Sequence, residues 1–239
     1  MLGRLVWTGE WQPFIRLREE RIRGLTILRA ELPGSPAGRG AQLRWHKGVC
    51  RLERAGVRRL LLPGQEQGEM EGSVGPVVTR PLWQQMAAPL AVAAIHRAGA
   101  RPERTVVALR GQRVTQPVFQ TCCRLMGAVR ALSLTVPEGG EALTWWLERQ
   151  YGMPVLAEGG DVTLCFSQDE PGADRFLLGE ERPAPLGYTV ALRPDCQTPI
   201  PNDCPAVPLL AALLEEGKVG TEELRVVTEN FQFTQGNLT

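Results

Sequence analysis

The spacing of apolar residues changes several times along the chain, and each change predicts a different element. Across residues 14–18, Ile15 and Leu17 alternate with Arg16 and Arg18, the period-two pattern of a half-solvated strand. Residues 22–32 form a second β-rich run with Leu25 and Ile27 on one face. The two runs are expected to pair as a hairpin through Glu19-Glu20-Arg21, although this segment has none of the residues that favour a tight turn. The Pro- and Gly-rich stretch 33–40 reads as a loop that closes an N-terminal β element, residues 1–40.

From residue 42 the period becomes helical. Trp45, Val49, Leu52 and Gly56 share one face, and Gly56 supplies a left-handed cap before an apolar strand over 57–62. The same phrase recurs. A helix over 81–97 with Leu82, Met86, Leu90 and Ala94 leads to a strand over 105–109, and Pro89 is expected to kink it by removing the bond to the Gln85 carbonyl. A helix carrying Val118, Cys122 and Leu125 precedes the strand 131–136. One carrying Leu143, Trp146 and Leu147 ends at Gly152, before short strands at 154–157 and 161–166. Continuous apolar strands alternating with helices imply right-handed crossovers and a buried parallel sheet. The expected fold is therefore α/β. Residues 41–168 form a Rossmann-like three-layer core with a mainly parallel sheet. Residues 169–239 form a C-terminal Pro-rich segment, strand and helices packed on that core. In this last part a strand is expected over 187–192, a helix through Val207, Leu210 and Leu213, and a helix start at Thr221.

Composition narrows the chemistry. The chain has 239 residues, 43% hydrophobic and 22% charged, in the range of globular proteins. Lys and Arg total 27 against 26 acids, so there is no overall electrostatic drive toward nucleic acid or an anionic membrane, and neither is expected as a partner. The chain shows no run of about 18 apolar residues and no export signal, and its six cysteines contain no CxxC, so a cytoplasmic location with reduced thiols is expected. Two histidines exclude a multi-histidine metal centre; His46 and Cys50 share a helix face but are too few for a site, so no metal is expected. The loop 63–78 has glycines at 64, 68, 72 and 75, but not the spacing of a dinucleotide fingerprint. Its Glu66, Glu69 and Glu71 would repel a pyrophosphate. No motif assigns a cofactor.

In an open parallel sheet, ligands bind beyond the carboxyl ends of the strands. The residues there define the candidate site: Arg80 at a helix start, Arg110, Gly111 and Arg113 after one strand, and Glu138, Gly139 and Gly140 after the next. The arginines suit a phosphate or carboxylate, the glycines allow close backbone approach, and the loop 63–80 is long enough for a lid. Glu141, Glu158 and Asp161 sit at further predicted strand ends. Trp145, beside a core-facing Trp146, marks a surface for a protein partner or a second copy of the chain. These features favour a non-catalytic ligand- or partner-binding domain. The alternative is an enzyme acting on a small anionic substrate, with Mg²⁺, at the carboxyl edge of the sheet.

Overall fold

The computed structural model describes residues 1–10, 14–62, 73–167, 175–178, 187–196, 200–201 and 203–228. The chain divides into two compact units. One comprises Met1–Thr79 and Leu192–Leu224, the other Arg80–Ala191 and Arg225–Thr239. Each contains a mainly parallel sheet flanked by helices, a Rossmann-like α/β arrangement. Among the described residues no helix is long and apolar enough to cross a membrane.

The first unit is built from β1 (Leu2–Trp7), β2 (Arg16–Ile22), β3 (Leu25–Leu32), α1 (Ala41–Arg54), β4 (Arg59–Leu60) and β5 (Gly75–Pro76), in sheet order β2-β3-β1-β4-β5. Only β2 runs antiparallel. The hairpin turn lies at Arg23-Gly24, not at the expected 19–21. Both turn residues have positive φ, 49° and 79°, the geometry that matches the twist of paired strands. Glu19, Glu20 and Arg21 remain in β2, a largely exposed edge strand that tolerates their polarity.

The N-terminal β element is integral to this sheet. β1 is the central strand of this sheet, paired with β3 on one side and β4 on the other. The strand expected over 57–62 therefore joins this sheet rather than that of residues 105–167. The boundaries at 40/41 and 168/169 do not coincide with those of the two units. The sequence conceals this because β1 carries Arg4 where a buried strand would carry an apolar residue. Arg4 is 1% exposed, and its guanidinium pairs with Glu20 at 2.5 Å and Asp203 at 3.2 Å. Burial opposes its charge, but the Asp203 hydrogen bond and the Glu20 charge outweigh that and raise its pKa.

Helix α1 lies on the other face. Gly48 is the contact point: a Cβ there would stand 2.6 Å from Leu5 Cδ2 and 2.7 Å from Leu32 Cδ2. Its buried stripe of Gly48, Val49 and Leu52 packs into the cluster formed by Leu28, Ala30, Val57 and Leu60. Gly56, with φ 87°, ends the run as expected, and the Val57 N–H returns to the Leu52 carbonyl. Farther along the chain, Asp203 and α6 (Ala206–Glu215) bring Asp203 to Arg4 and Glu215 to Arg59.

The second unit contains α2 (Arg80–Gln85), α3 (Ala87–Arg97), β6 (Val106–Arg110), α4 (Gln116–Leu125), β7 (Ala131–Thr135), α5 (Gly140–Tyr151), β8 (Val155–Leu156), β9 (Val162–Cys165) and β10 (Arg175–Leu177). Its sheet is parallel throughout, in the order β10-β9-β6-β7-β8. Val107, Leu109, Leu132 and Leu164 are fully buried, as continuous apolar strands require. The helix expected over 81–97 is two helices, broken at Met86. Pro89 falls in the first turn of α3, where its missing N–H costs no helical bond. The Gln85 carbonyl that the break leaves over accepts Arg124 Nη1 at 2.9 Å.

Strands β11 (Tyr188–Leu192) and β12 (Leu224–Thr228) pair as a separate two-stranded sheet. Thr221 begins a single 3₁₀ turn rather than a helix, and the β-branched run after it forms β12.

Two outcomes test this packing. At an exposed helical site Gly→Ala stabilises by about 1 kcal/mol. Gly48→Ala is expected to destabilise by about 1 kcal/mol and Gly48→Val by about 3, because overpacking outweighs propensity. Urea denaturation with unchanged m-value checks this. Burial, with Cys123 as a lesser cause, pushes the Cys122 thiol up to about 12. An unfolded thiol ionises near 8.5, so this stability is complete below about pH 8.5. It is then lost toward pH 12 at about 1.4 kcal/mol per pH unit. Cys122→Ala should flatten the profile between about pH 9 and 11.

Candidate functional site

At the carboxyl edge of the second unit, the β6–β7 pairing continues beyond the strands. The Gly111 N–H reaches the Thr135 carbonyl at 3.1 Å, the Glu138 N–H the Gln112 carbonyl at 3.0 Å, and the Val114 N–H the Glu138 carbonyl at 2.9 Å. Arg113 and Glu138 thus form a parallel bridge. Gly139 follows with φ 82° as the left-handed entry to α5, and its missing Cβ leaves room for Val114. Arg110, Gly111, Arg113, Glu138, Gly139 and Gly140 are therefore brought together by backbone pairing. Arg80 lies outside that pairing, exposed at the start of α2.

The cavity at this edge measures about 460 Å³. Of the expected residues only Gly140 lines it; Glu141, Glu148, Thr144 and Trp145 supply the polar and aromatic wall. Its side chains carry negative charge, and none of the three arginines lines it. Asp161 stands elsewhere, at the amino end of β6, where it accepts the Val106 N–H at 2.8 Å. Residues 63–72 of the expected lid lie outside the described residues, and residues 73–79 belong to the first unit. Trp145 is 57% exposed, with the Arg149 guanidinium 4.9 Å from its ring centroid; Trp146 packs between Phe119 and Tyr151.

A second cavity, of about 860 Å³, lies within the first unit and escaped the sequence reading. One wall is α1, which presents Arg44, Lys47, Arg51 and Arg54, with Cys50 among them. The loop 33–38 and the residues before β2, Phe14 and Ile15, complete it. Spacings of three, four and three residues place the four cations on one helical stripe beside the buried Gly48–Leu52 stripe. Among the described residues no carboxylate lines the cavity, and none of the four cations joins an ion pair. Glu53, the one acid on α1, accepts both Ser73 donors instead, and these hydrogen bonds hold its carboxyl below the usual range.

Two of the cations also hold the walls. Arg44 donates to the Arg39 carbonyl at 3.0 Å and stands over the Trp7 ring at 5.7 Å. A Cβ on Gly38 would approach its guanidinium and the Ser35 carbonyl to 3.2 Å, so the loop packs closely on this side chain. Arg51 donates to the Ile15 carbonyl. Lys47 and Arg54 make no such bond among the described contacts. Cys50 Sγ lies 3.6 Å from His46 Nε2, the one contact that the expected shared face produces. The sequence signal was available in the basic residues at 44, 47, 51 and 54. Apolar periodicity does not reveal it, because these positions lie off the buried stripe.

No protein-family model matches this chain, and no curated protein matches it.

If Arg44 anchors the loop, Arg44→Ala should speed amide exchange across residues 35–40 by about five- to tenfold, the loss of a hydrogen bond worth about 1 kcal/mol. Exchange in α1 should be unchanged. Hydrogen-exchange mass spectrometry measures both.

Proposed function

We propose that the protein is a non-catalytic binder of a small anionic ligand, held in the cavity along α1. The observation that supports this is the lining: four cations and no described carboxylate around a space of about 860 Å³. That volume is within the range of small-molecule sites, which runs to roughly 1,000 Å³. Like charges three and four residues apart cost a helix about 0.2–0.5 kcal/mol per pair, and on α1 itself the one acid, Glu53, acts on Arg54 alone of the four. Such a row is disfavoured for stability alone, and an anion that bridges the charges offsets the cost. Gly40 opens α1 without a side-chain cap, so the positive end of the helix dipole adds to the same field. The strand edge of the second unit supports an anion less well, since its cavity is lined by Glu141 and Glu148.

Inorganic tripolyphosphate is the direct probe. Titration calorimetry should find binding at 50 mM salt that weakens sharply at 200 mM, as screening requires. Lys47→Gln with Arg54→Gln removes two charges that hold no wall and should weaken binding at least about tenfold, the scale of a charged hydrogen bond. Tripolyphosphate should also protect Cys50 from alkylation, read peptide by peptide. Equal affinity in the double variant, or no binding at millimolar probe, overturns the proposal.

A further inference from the structure

We infer that the α1 cavity takes an anion that also carries a flat aromatic ring, a ligand of the nucleotide class; this rests on the anion-binding reading of the same cavity. The added observation is Phe14. It lines the cavity yet is 69% exposed, the largest exposure among the large apolar side chains of the described residues. An aromatic ring left in water at the mouth of a basic cavity gains nothing from the fold: β2 begins two residues later, and the apolar cluster beneath is reached by Ile15, not by Phe14. The backbone beside it is held. Arg51 donates to the carbonyl of the next residue, Ile15, which ties this wall to the cation row.

The two halves of the cavity thus differ in chemistry. The α1 wall offers Lys47, Arg51 and Arg54, donors suited to phosphate oxygens. The opposite wall offers an exposed aromatic ring. Stacking on an exposed aromatic requires no hydrogen-bond pattern and accepts any base, so this arrangement selects for an aromatic group without selecting among bases. The cation row extends ten residues along α1, about 15 Å at 1.5 Å per residue, so several anionic groups can be engaged at once.

The test compares ATP, GTP and inorganic tripolyphosphate on the full chain by titration calorimetry at 50 mM salt. Both nucleotides should bind about tenfold or more tighter than tripolyphosphate, the scale of one stacked base, and with similar affinities. Phe14→Ala should abolish that advantage while leaving tripolyphosphate affinity unchanged, and Phe14→Trp should keep it. The site is exposed, so both variants are expected to fold, and circular dichroism checks this. If nucleotides bind no tighter than tripolyphosphate, or if Phe14→Ala weakens all three equally, the aromatic inference fails while anion binding stands. If none of the three binds, both fail. Discrimination between ATP and GTP of more than about tenfold would also overturn it, because stacking alone does not distinguish bases.

Discussion

The first unit depends on a helix pressed against a sheet at a residue without a side chain. At Gly48 the α1 backbone approaches so closely that even one carbon would fall inside the contact distance of Leu5 and Leu32. Leu5 belongs to β1 and Leu32 to β3, so one helical residue registers against two neighbouring strands. This fixes the rotation of α1 about its axis, and with it the direction of every other residue on the helix. With Gly48, Val49 and Leu52 turned inward, Lys47, Arg51 and Arg54 are exposed on a neighbouring stripe and line the cavity. The cation row of the cavity is thus a consequence of core packing.

The same unit treats its cations in two opposite ways. Arg4 is buried in the central strand, and the fold supplies it with Glu20 and Asp203, a carboxylate from β2 and another from a residue 199 positions away. A buried guanidinium without such partners would carry a penalty of several kcal/mol. Among the described residues the α1 cations form no ion pair, although Glu53 stands on their own helix; its carboxyl accepts hydrogen bonds from Ser73. A chain with a net charge of only +1 has acids enough to neutralise them. Among the described residues, the acids that form ion pairs stand beside other cations.

Much of this fold was legible because its cause is local. The apolar strands of the second unit, the helix ends at Gly56 and Gly152, and the parallel pairing all follow from periodicity and from glycines that adopt positive φ without a Cβ penalty. The hidden parts have non-local causes. β1 was unreadable as a central strand because Arg4 is made compatible with burial by Asp203, far along the chain. The division into two sheets follows from that strand. Pro89 pointed correctly to an interrupted helix, but not to Arg124, which takes up the spare carbonyl from another helix. At the strand edge the backbone arrangement of Arg110, Gly111, Arg113 and Glu138 to Gly140 was readable from strand endings. The charge of the neighbouring cavity was not, since it depends on which helix faces turn inward.

Ligand recognition in the α1 cavity would require little rearrangement, and this follows from how its walls are held. Binding loses affinity to every side chain and loop that must be ordered in the event. Here α1 is locked by Gly48, the loop 33–40 closes on Arg44, and Ile15 is held by Arg51. Two cations therefore spend hydrogen bonds on the walls and retain their charge, because a carbonyl partner leaves a guanidinium positive where a carboxylate would neutralise it. Arginine can serve in both capacities at once because its five donors fan out in a plane: one edge bonds the wall while another faces the cavity. Lysine at either position has three donors for both contacts but lacks the planar fork that matches an anion two-pronged. Lys47, which holds no wall, is where the simpler cation suffices.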